Sequence, residues 1–309
     1  MSNFPYRKAS AFFKDKFNAR VYRVAVDAGF TCPNRDGTLA RGGCIFCDEE
    51  GSRASYVNPK APIKEQVLDG IGKLKSSYGA EKFIVYFQSY SNTYAPIEKL
   101  RLLYFEALSS HPDVIGISIS TRPDLLPESV LDLLEEISKK YFVMLEIGVQ
   151  TFNYKSLIKA RRFHTVSDSI DAILRAKKRG LHVVAHMILG LFDEINIETI
   201  EGGRILSVLG VDGVKIHHLY VIKDTPLEGL YRRNRVKVYE NPMDFANLVV
   251  RFLENISPSM VIHRVQGFAP KRRLVAPLWT SNKHIISNLV EKIMREKGTY
   301  QGKFYRYND

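Results

Sequence analysis

Three cysteines are the residues of this chain best suited to chemistry, and all lie in one loop. Cys32, Cys44 and Cys47 stand in the segment CPNRDGTLARGGCIFC of a chain of 309 residues. An odd number of cysteines argues against a disulfide framework, and cysteines buried for structural reasons would be scattered along the chain. Clustered thiolates in a loop that carries glycines indicate a metal centre.

Two kinds of metal centre are considered for three thiolates. Structural zinc takes four ligands, and no histidine lies in the loop, the nearest in sequence beginning with His111. A [4Fe–4S] cluster usually takes four cysteines, so three leave one iron with an open coordination position. An open iron is what the amino and carboxylate groups of S-adenosylmethionine (SAM) require for chelation. The cluster is therefore favoured, with zinc and unligated thiols as the alternatives.

The spacing C-x11-C-x2-C, with Phe46 directly before the last cysteine, resembles the signature of the radical SAM superfamily. The first spacer is longer than in the common C-x3-C-x2-C form and is similar to the branch that contains the elongator catalytic subunit. Along most of the chain the resemblance is to the YhcC/YtqA-like family. It implies a [4Fe–4S] cluster on Cys32, Cys44 and Cys47, bound SAM, and reductive cleavage of SAM to a 5′-deoxyadenosyl radical. It also implies a reducing electron donor of the flavodoxin or ferredoxin type.

Strand-like and helix-like segments alternate along the chain, which predicts βα units and a parallel sheet. Strands are expected at 20–27, 83–87, 114–120, 142–149, 182–189 and 214–221, with a further candidate at 260–266. Helices are expected near 62–78, 96–110, 127–139, 153–160, 167–179, 196–209 and 283–297. The α/β pattern fits the partial (β/α)6 TIM-like barrel that the resemblance implies. We expect this barrel over residues 1–229 and a C-terminal extension over 230–309 that closes its open side.

Polar residues follow the predicted strands, where parallel αβ architectures place their sites. Gln88 lies in QSYSNTY, and Ser120 and Arg122 lie in STRPD. In EIGVQT, alternation with period two puts Glu146 and Gln150 on one face of the strand. A polar loop without a ligand is the alternative for QSYSNTY, because loops concentrate polar residues.

The resemblance extends to these motifs. EIGVQT is similar to an E-x-G-V-Q-S element, which implies that Gln150 contacts the SAM ribose and Glu146 supports the pocket. Arg162, in ARRFHT, matches an arginine that binds the SAM carboxylate, and His186 lies in a segment similar to H-x-M-x-G-L. The residues expected to bind SAM are Gln88, Ser120, Arg122, Glu146, Gln150, Arg162 and His186. No residue is assigned to act on the substrate.

The chain is basic, with a formal net charge of +12 and an isoelectric point near 9.5. A basic balance favours polyanions, above all nucleic acids. The clusters are Lys159, Arg161 and Arg162; Arg175, Lys177, Lys178 and Arg179; Arg232, Arg233, Arg235 and Lys237; and Lys271, Arg272 and Arg273. With the resemblance, this charge predicts tRNA as partner and processing of a carboxymethylaminomethyl group on wobble uridine. The alternatives are radical chemistry on a small metabolite and a non-catalytic, metal-containing RNA-binding protein.

The hydropathy of the sequence indicates where in the cell the protein is expected. No apolar run reaches 18 residues, and the N-terminal segment has scattered charges without a continuous apolar region. These features predict no membrane span and no signal peptide, and hence a cytoplasmic protein.

Overall fold

Seven parallel strands form one curled sheet in the computed structural model, which describes residues 4–48, 51, 53–54 and 56–307. The strands are β1 (Val21–Val26), β2 (Lys82–Phe87), β3 (Val114–Thr121), β4 (Phe142–Gln150), β5 (His182–Leu189), β6 (Gly213–His218) and β8 (Val261–Arg264). Each strand pairs with the next in this order. Two short strands, β7 (Val221–Ile222) and β9 (Leu274–Ala276), pair antiparallel beside the sheet. The predicted α/β half-barrel is confirmed.

Helices alternate with the strands, and those in the main core cover the outer face of the sheet. In chain order, the helices of the described residues are α1 (Ala9–Phe17), α2 (Pro33–Asp36), α3 (Ile63–Tyr78), α4 (Ile97–Ser109), α5 (Glu128–Ser138), α6 (Tyr154–Lys159), α7 (Val166–Lys178), α8 (Asn196–Val208), α9 (Pro226–Arg232), α10 (Pro242–Asn255) and α11 (Ile285–Glu296). Local sequence explains their limits: the Thr165 side chain caps α7 in a capping box with Asp168. Gly180, with φ +69°, follows the same helix and takes the left-handed conformation that helix ends favour.

The two faces of the sheet carry separate apolar cores. Outward residues such as Val85, Leu145 and Val183 pack with the helices in the main core. On the inner face, Ile84, Met144 and Val184 pack against Phe13 of α1. Because α1 precedes β1 and packs against this inner layer, it fills the barrel at the amino ends of the strands. Polar side chains occupy the inner face nearer the carboxyl ends.

The two edge strands of the sheet are β1 and β8. The N-terminal segment runs beside β8, where the Ile262 amide donates to the Arg7 carbonyl at 2.8 Å. The Gln301 side chain accepts from the Arg7 amide at 2.9 Å and so joins the C-terminal segment to the same edge. Residues beyond 230 thus contribute β8 to the sheet, while the division at 229 stays a prediction. None of the described helices has the length and apolar character needed to cross a membrane.

Candidate active site at the carboxyl ends of the strands

The cysteine loop directly follows β1 and turns back on itself through glycines. Cys32 precedes the short helix α2, and the Gly43 amide donates to the Asn34 carbonyl at 2.8 Å. Gly43 has φ +83°, and a Cβ there would lie 2.9 Å from Nη1 of Arg35, so only glycine suits this position without strain. The Cys47 amide donates to the Cys44 carbonyl at 3.0 Å, which holds these two cysteines in one tight turn.

The Cys44 thiol is buried and has two donors aimed at its sulfur, while Cys32 and Cys47 are partly exposed. Asn34 Nδ2 and Arg162 Nη1 each lie 3.4 Å from Sγ of Cys44. Burial, with smaller contributions from the charges of Cys44 and Asp48, raises the pKa of the Cys47 thiol to about 12. Within the described part of the chain, no three His, Cys, Asp or Glu side chains stand close enough to hold one metal ion. Thiolates that bind different irons of a cluster do not need to meet at one point.

Arg122 follows β3 and Arg162 follows α6, and both side chains lie beside the cysteine loop. Arg162 Nη2 donates to the Gly148 carbonyl at 2.9 Å, and its Nε lies 3.2 Å from Nε2 of His164. Arg122 pairs with Asp124 through two hydrogen bonds of 2.9 and 2.8 Å and donates to the Arg162 carbonyl at 2.7 Å. The predicted residues Arg122 and Arg162 therefore lie side by side.

Gln150 and Gly148 end β4 at the same place. Gln150 has φ +69°, and its side chain folds back so that Nε2 would be 2.9 Å from a Cβ at Gly148. The same Cβ would lie 3.2 Å from Arg162 Nη2, so glycine leaves the space in which the two side chains meet. Gln88 is half-buried at the end of β2.

Several buried polar atoms in these loops have no hydrogen-bond partner among the described residues. They are Asn34 Oδ1, Ser89 Oγ, Asn92 Oδ1 and Arg122 Nη1. A buried polar atom without a partner is costly, and a bound polar ligand is one way to satisfy it. The donor set of three thiolates and these polar atoms fits a cluster with a polar ligand beside it. Asn34, Ser89 and Asn92 were not among the predicted site residues, although the first lies two residues after Cys32 and the others directly follow β2.

Glu146 occupies the centre of the barrel and is fully buried. Its carboxylate pairs with Lys215 and accepts from Tyr86 at 2.9 Å and from Ser118 at 2.8 Å. The other contacts are to His186 at 2.7 Å, Arg23 at 3.2 Å and Ser120 at 3.4 Å. Burial alone would raise the pKa of Glu146, but the Lys215 charge and the His186 hydrogen bond outweigh burial and hold that pKa well below its usual range.

Three of the residues predicted to bind SAM belong to this network. Ser120 and His186 both contact Glu146, and the carboxylate has partners on β1, β2, β3, β5 and β6. The three side chains therefore tie strands together across the barrel. Direct contact of Glu146, Ser120 or His186 with SAM stays a prediction.

The basic clusters separate into paired and unpaired groups. Arg175 pairs with Asp171 and Glu128, Lys177 pairs with Asp212, and Arg179 pairs with Glu128 and Asp132. Arg273 pairs with Asp48 at 3.2 Å, next to Cys47. A second group is exposed and makes no ion pair with any described residue: Lys155, Lys159, Arg161, Lys223, Arg233, Arg235, Lys237, Lys271 and Arg272. We call this second group the basic rim.

Backbone contacts join the segments of the basic rim around the cysteine loop. The Ile45 amide donates to the Ala160 carbonyl at 3.2 Å, and the Leu227 amide donates to the Ile45 carbonyl at 2.9 Å. The Lys223 amide donates to the Arg273 carbonyl at 2.9 Å. The rim thus surrounds the mouth at the carboxyl ends of the strands. Phe163, 54% exposed and at φ +56°, stands beside Arg161 in this rim.

Comparison with known proteins gives consistent matches. The model of the radical SAM superfamily matches residues 32–201, and that of the radical SAM C-terminal domain matches residues 211–296. The uncharacterized protein YtqA of Bacillus subtilis is 35% identical over 301 residues, which cover 97% of this chain and 93% of YtqA. Elongator complex protein 3 of Schizosaccharomyces pombe is 30% identical over 193 residues, 62% of this chain and 34% of that protein.

Among solved structures, the archaeal Methanocaldococcus infernus Elp3 superposes with a TM-score of 0.70 at 19% identity. The match covers 91% of this chain and 64% of that chain, and it shows a shared fold. The resemblance inferred from the cysteine spacing and the strand-end motifs is confirmed by these relatives.

Proposed function

The chain belongs to the radical SAM superfamily and is a SAM-dependent enzyme, and on that premise we propose that it modifies the wobble uridine of tRNA with a [4Fe–4S] cluster held by Cys32, Cys44 and Cys47. The observation that carries the cluster assignment is the tight turn that holds Cys44 and Cys47 together beside Arg162, in the loop that begins near Cys32. When bound, such a cluster supplies the electron that cleaves SAM to methionine and a 5′-deoxyadenosyl radical.

The residues around the thiols have separate tasks in this proposal. Asn34 and Arg162 donate to Sγ of Cys44, and hydrogen bonds to ligand sulfur stabilise its negative charge and tune the reduction potential. Ser89, Asn92 and Arg122 offer the buried polar atoms that still need partners, so they are placed to bind the polar groups of SAM. Gln150, folded over Gly148, is placed to contact the same ligand.

The basic rim supports tRNA as the partner. Exposed cations without carboxylate partners are free to contact phosphates, and the rim surrounds the mouth through which a substrate reaches the cysteine loop. An exposed aromatic side chain, Phe163, lies among these cations, and aromatic side chains stack on unpaired bases of RNA loops. The family resemblance to the elongator branch implies wobble uridine as the position, and the sequence similarity to elongator complex protein 3 agrees with that resemblance. The proposed chemistry is processing of a carboxymethylaminomethyl group at C5.

Binding of tRNA at several salt concentrations tests this partner. Replacing Lys271 and Arg272 by alanine should weaken tRNA binding and reduce the slope of log affinity against log salt by about 1 for each phosphate that the variant no longer neutralises. The matched control is the double alanine variant of Lys139 and Lys140, two exposed lysines between α5 and β4 at the opposite end of the barrel. Arg273 is kept because it pairs with Asp48. Equal slopes for both variants and the wild type would show that the rim does not bind tRNA.

A further inference from the structure

The inner face of the barrel carries more positive than negative charge at the level of Glu146. Arg23 and Lys215 both contact this carboxylate, which is therefore shared by two cations. Arg264 is the third cation. It is the Cα partner of Lys215 across the β6–β8 pairing, at a register shift that skips His263. Its charge acts on the buried Lys215 and His217, so it lies near these inward-facing side chains. Arg264 is exposed and makes no hydrogen bond or ion pair with any described residue.

The histidines near Arg264 carry no positive charge, and the single negative charge of Glu146 does not neutralise both arginines. Burial lowers the pKa of His217 well below its usual range, and the charge of Arg264 lowers that pKa further. Burial also lowers the pKa of His186, whose ring stacks on His217 at 5.8 Å between centroids. Both rings are therefore neutral near pH 7. Burial lowers the pKa of Lys215 well below its usual range, but Arg23 and Arg264 alone outnumber Glu146, the one carboxylate among the described residues that Arg23 contacts, so this part of the lumen has a surplus of positive charge.

The rings of Tyr220 and His217 lie next to this charged region. A Cβ at Gly267 would lie 2.6 Å from the Tyr220 ring and 3.3 Å from Nδ1 of His217, so the backbone packs directly against both rings. Burial raises the pKa of Tyr220, and the charges of Arg264, Asp48 and Cys47 also act on this group. Tyr220 is therefore near both Arg264 and the cysteine loop. An anion held by Arg264 would lie on the inner side of the barrel.

We propose that Arg264, together with Arg23, binds a carboxylate of the substrate inside the barrel and thereby selects substrates that carry one. The planar guanidinium groups match a carboxylate through paired hydrogen bonds, and the surplus charge favours an anion over a neutral group. Arg264 has no internal partner to give up, so on binding it exchanges only its bound water for the carboxylate. Lys215 remains paired with Glu146 and supports the site from behind. For an RNA substrate this inference rests on the proposed function, in which the group on wobble uridine ends in a carboxylate.

The test compares two anticodon stem-loops that carry the same phosphates. One has 5-carboxymethylaminomethyluridine at the wobble position, and the other has unmodified uridine. Binding is measured with the anaerobically reconstituted protein in the presence of SAM, for the wild type, Arg264→Gln and Arg264→Lys. The wild type should prefer the carboxylate-bearing RNA by about 10- to 100-fold, the range expected for a charged hydrogen-bonded pair. Arg264→Gln should lose most of that preference and keep its affinity for the unmodified RNA, and Arg264→Lys should keep part of the preference.

The alternative outcomes separate the two proposals. If Arg264→Gln keeps the full preference, Arg264 does not read the carboxylate, although tRNA remains the substrate. If the wild type binds both RNAs equally, the lumen does not select a carboxylate. If it binds neither, tRNA modification is wrong and this inference falls with it. Because the Arg264 side chain is exposed and has no partner among the described residues, its replacement should leave the thermal unfolding midpoint unchanged. Measuring that midpoint checks that the variants fold normally.

Discussion

Replacing Glu146 by glutamine perturbs the buried network that joins six strands of the barrel. The carboxylate has no exposed surface, and its partner Lys215 is only 2% exposed. Glutamine keeps the shape of the side chain but removes the charge, so Lys215 is left buried without a carboxylate. Breaking a buried ion pair in this way costs about 3–5 kcal/mol of unfolding free energy.

The double variant with Lys215→Met distinguishes loss of the Glu146–Lys215 ion pair from general disruption of the core. Methionine removes the buried ammonium, so the strands keep an apolar side chain of similar length. Glu146→Gln with Lys215→Met should therefore lose about 2–3 kcal/mol less than the sum of the two single variants, since coupled residues are non-additive. Lys215→Met alone should cost less than Glu146→Gln, because Arg23 and His186 still contact the carboxylate.

Thermal unfolding, followed by circular dichroism, is the assay. In a chain of this size Glu146→Gln should lower the unfolding midpoint by about 10 °C at pH 7. Because the network lowers the pKa of Glu146 below 4.5, its stabilisation is complete above that pH and is lost as the pH falls through the lowered pKa. The difference between wild type and Glu146→Gln should therefore shrink at acidic pH. Additive single and double variants would refute the buried pair as the source of stability.

Three further predictions concern the site and its surroundings. Arg162→Ala should weaken SAM binding at least several-fold, measured by equilibrium binding to the reconstituted protein, and unchanged affinity would show that Arg162 does not contact the SAM carboxylate. Burial raises the pKa of Glu194 to about 7, so the contribution of Glu194 to wild-type stability should fall as the pH rises from about 4.5 through 7. Glu194→Gln should be more stable than wild type at pH 8 and equal to it near pH 4. A stability difference that does not change with pH would contradict this. Phe163→Gly should change the thermal midpoint by no more than about 2 °C, because glycine relieves the left-handed backbone, while tRNA affinity falls at least 5-fold; unchanged affinity would exclude base stacking.

The sheet was predictable because parallel strands are buried on both faces. Their apolar segments marked β1 to β5 and β8 to within a few residues, whereas the segment 214–221 ran past the end of β6 at His218 and into β7. Among the helices, α1, α2, α9 and α10 were not predicted. For α10 the signals were present: Asn241 caps its first turn, Pro242 stands at its first position, and most of its apolar residues are buried.

The site was predictable only where local sequence determined it. Cysteine spacing identified the loop, the strand-end segment STRPD pointed to Arg122, and the family resemblance of ARRFHT pointed to Arg162. The contact of Arg162 with Cys44 joins residues 118 positions apart, and the pairing of Arg273 with Asp48 is also long-range. No local pattern specifies such contacts, since they depend on how the loops pack over the barrel mouth. For the same reason the sequence did not separate paired cations such as Arg179 from the basic rim.

Anaerobic reconstitution with iron and sulfide tests the central claim most directly, with SAM cleavage measured on the same sample. The proposed cluster predicts about four irons and four sulfides per chain, and conversion of SAM to 5′-deoxyadenosine and methionine once dithionite is added. Alanine at Cys32, Cys44 or Cys47 should abolish both iron uptake and SAM cleavage. Stoichiometric zinc with no iron uptake, or SAM cleavage that survives the loss of any one of these cysteines, would contradict the proposed cluster.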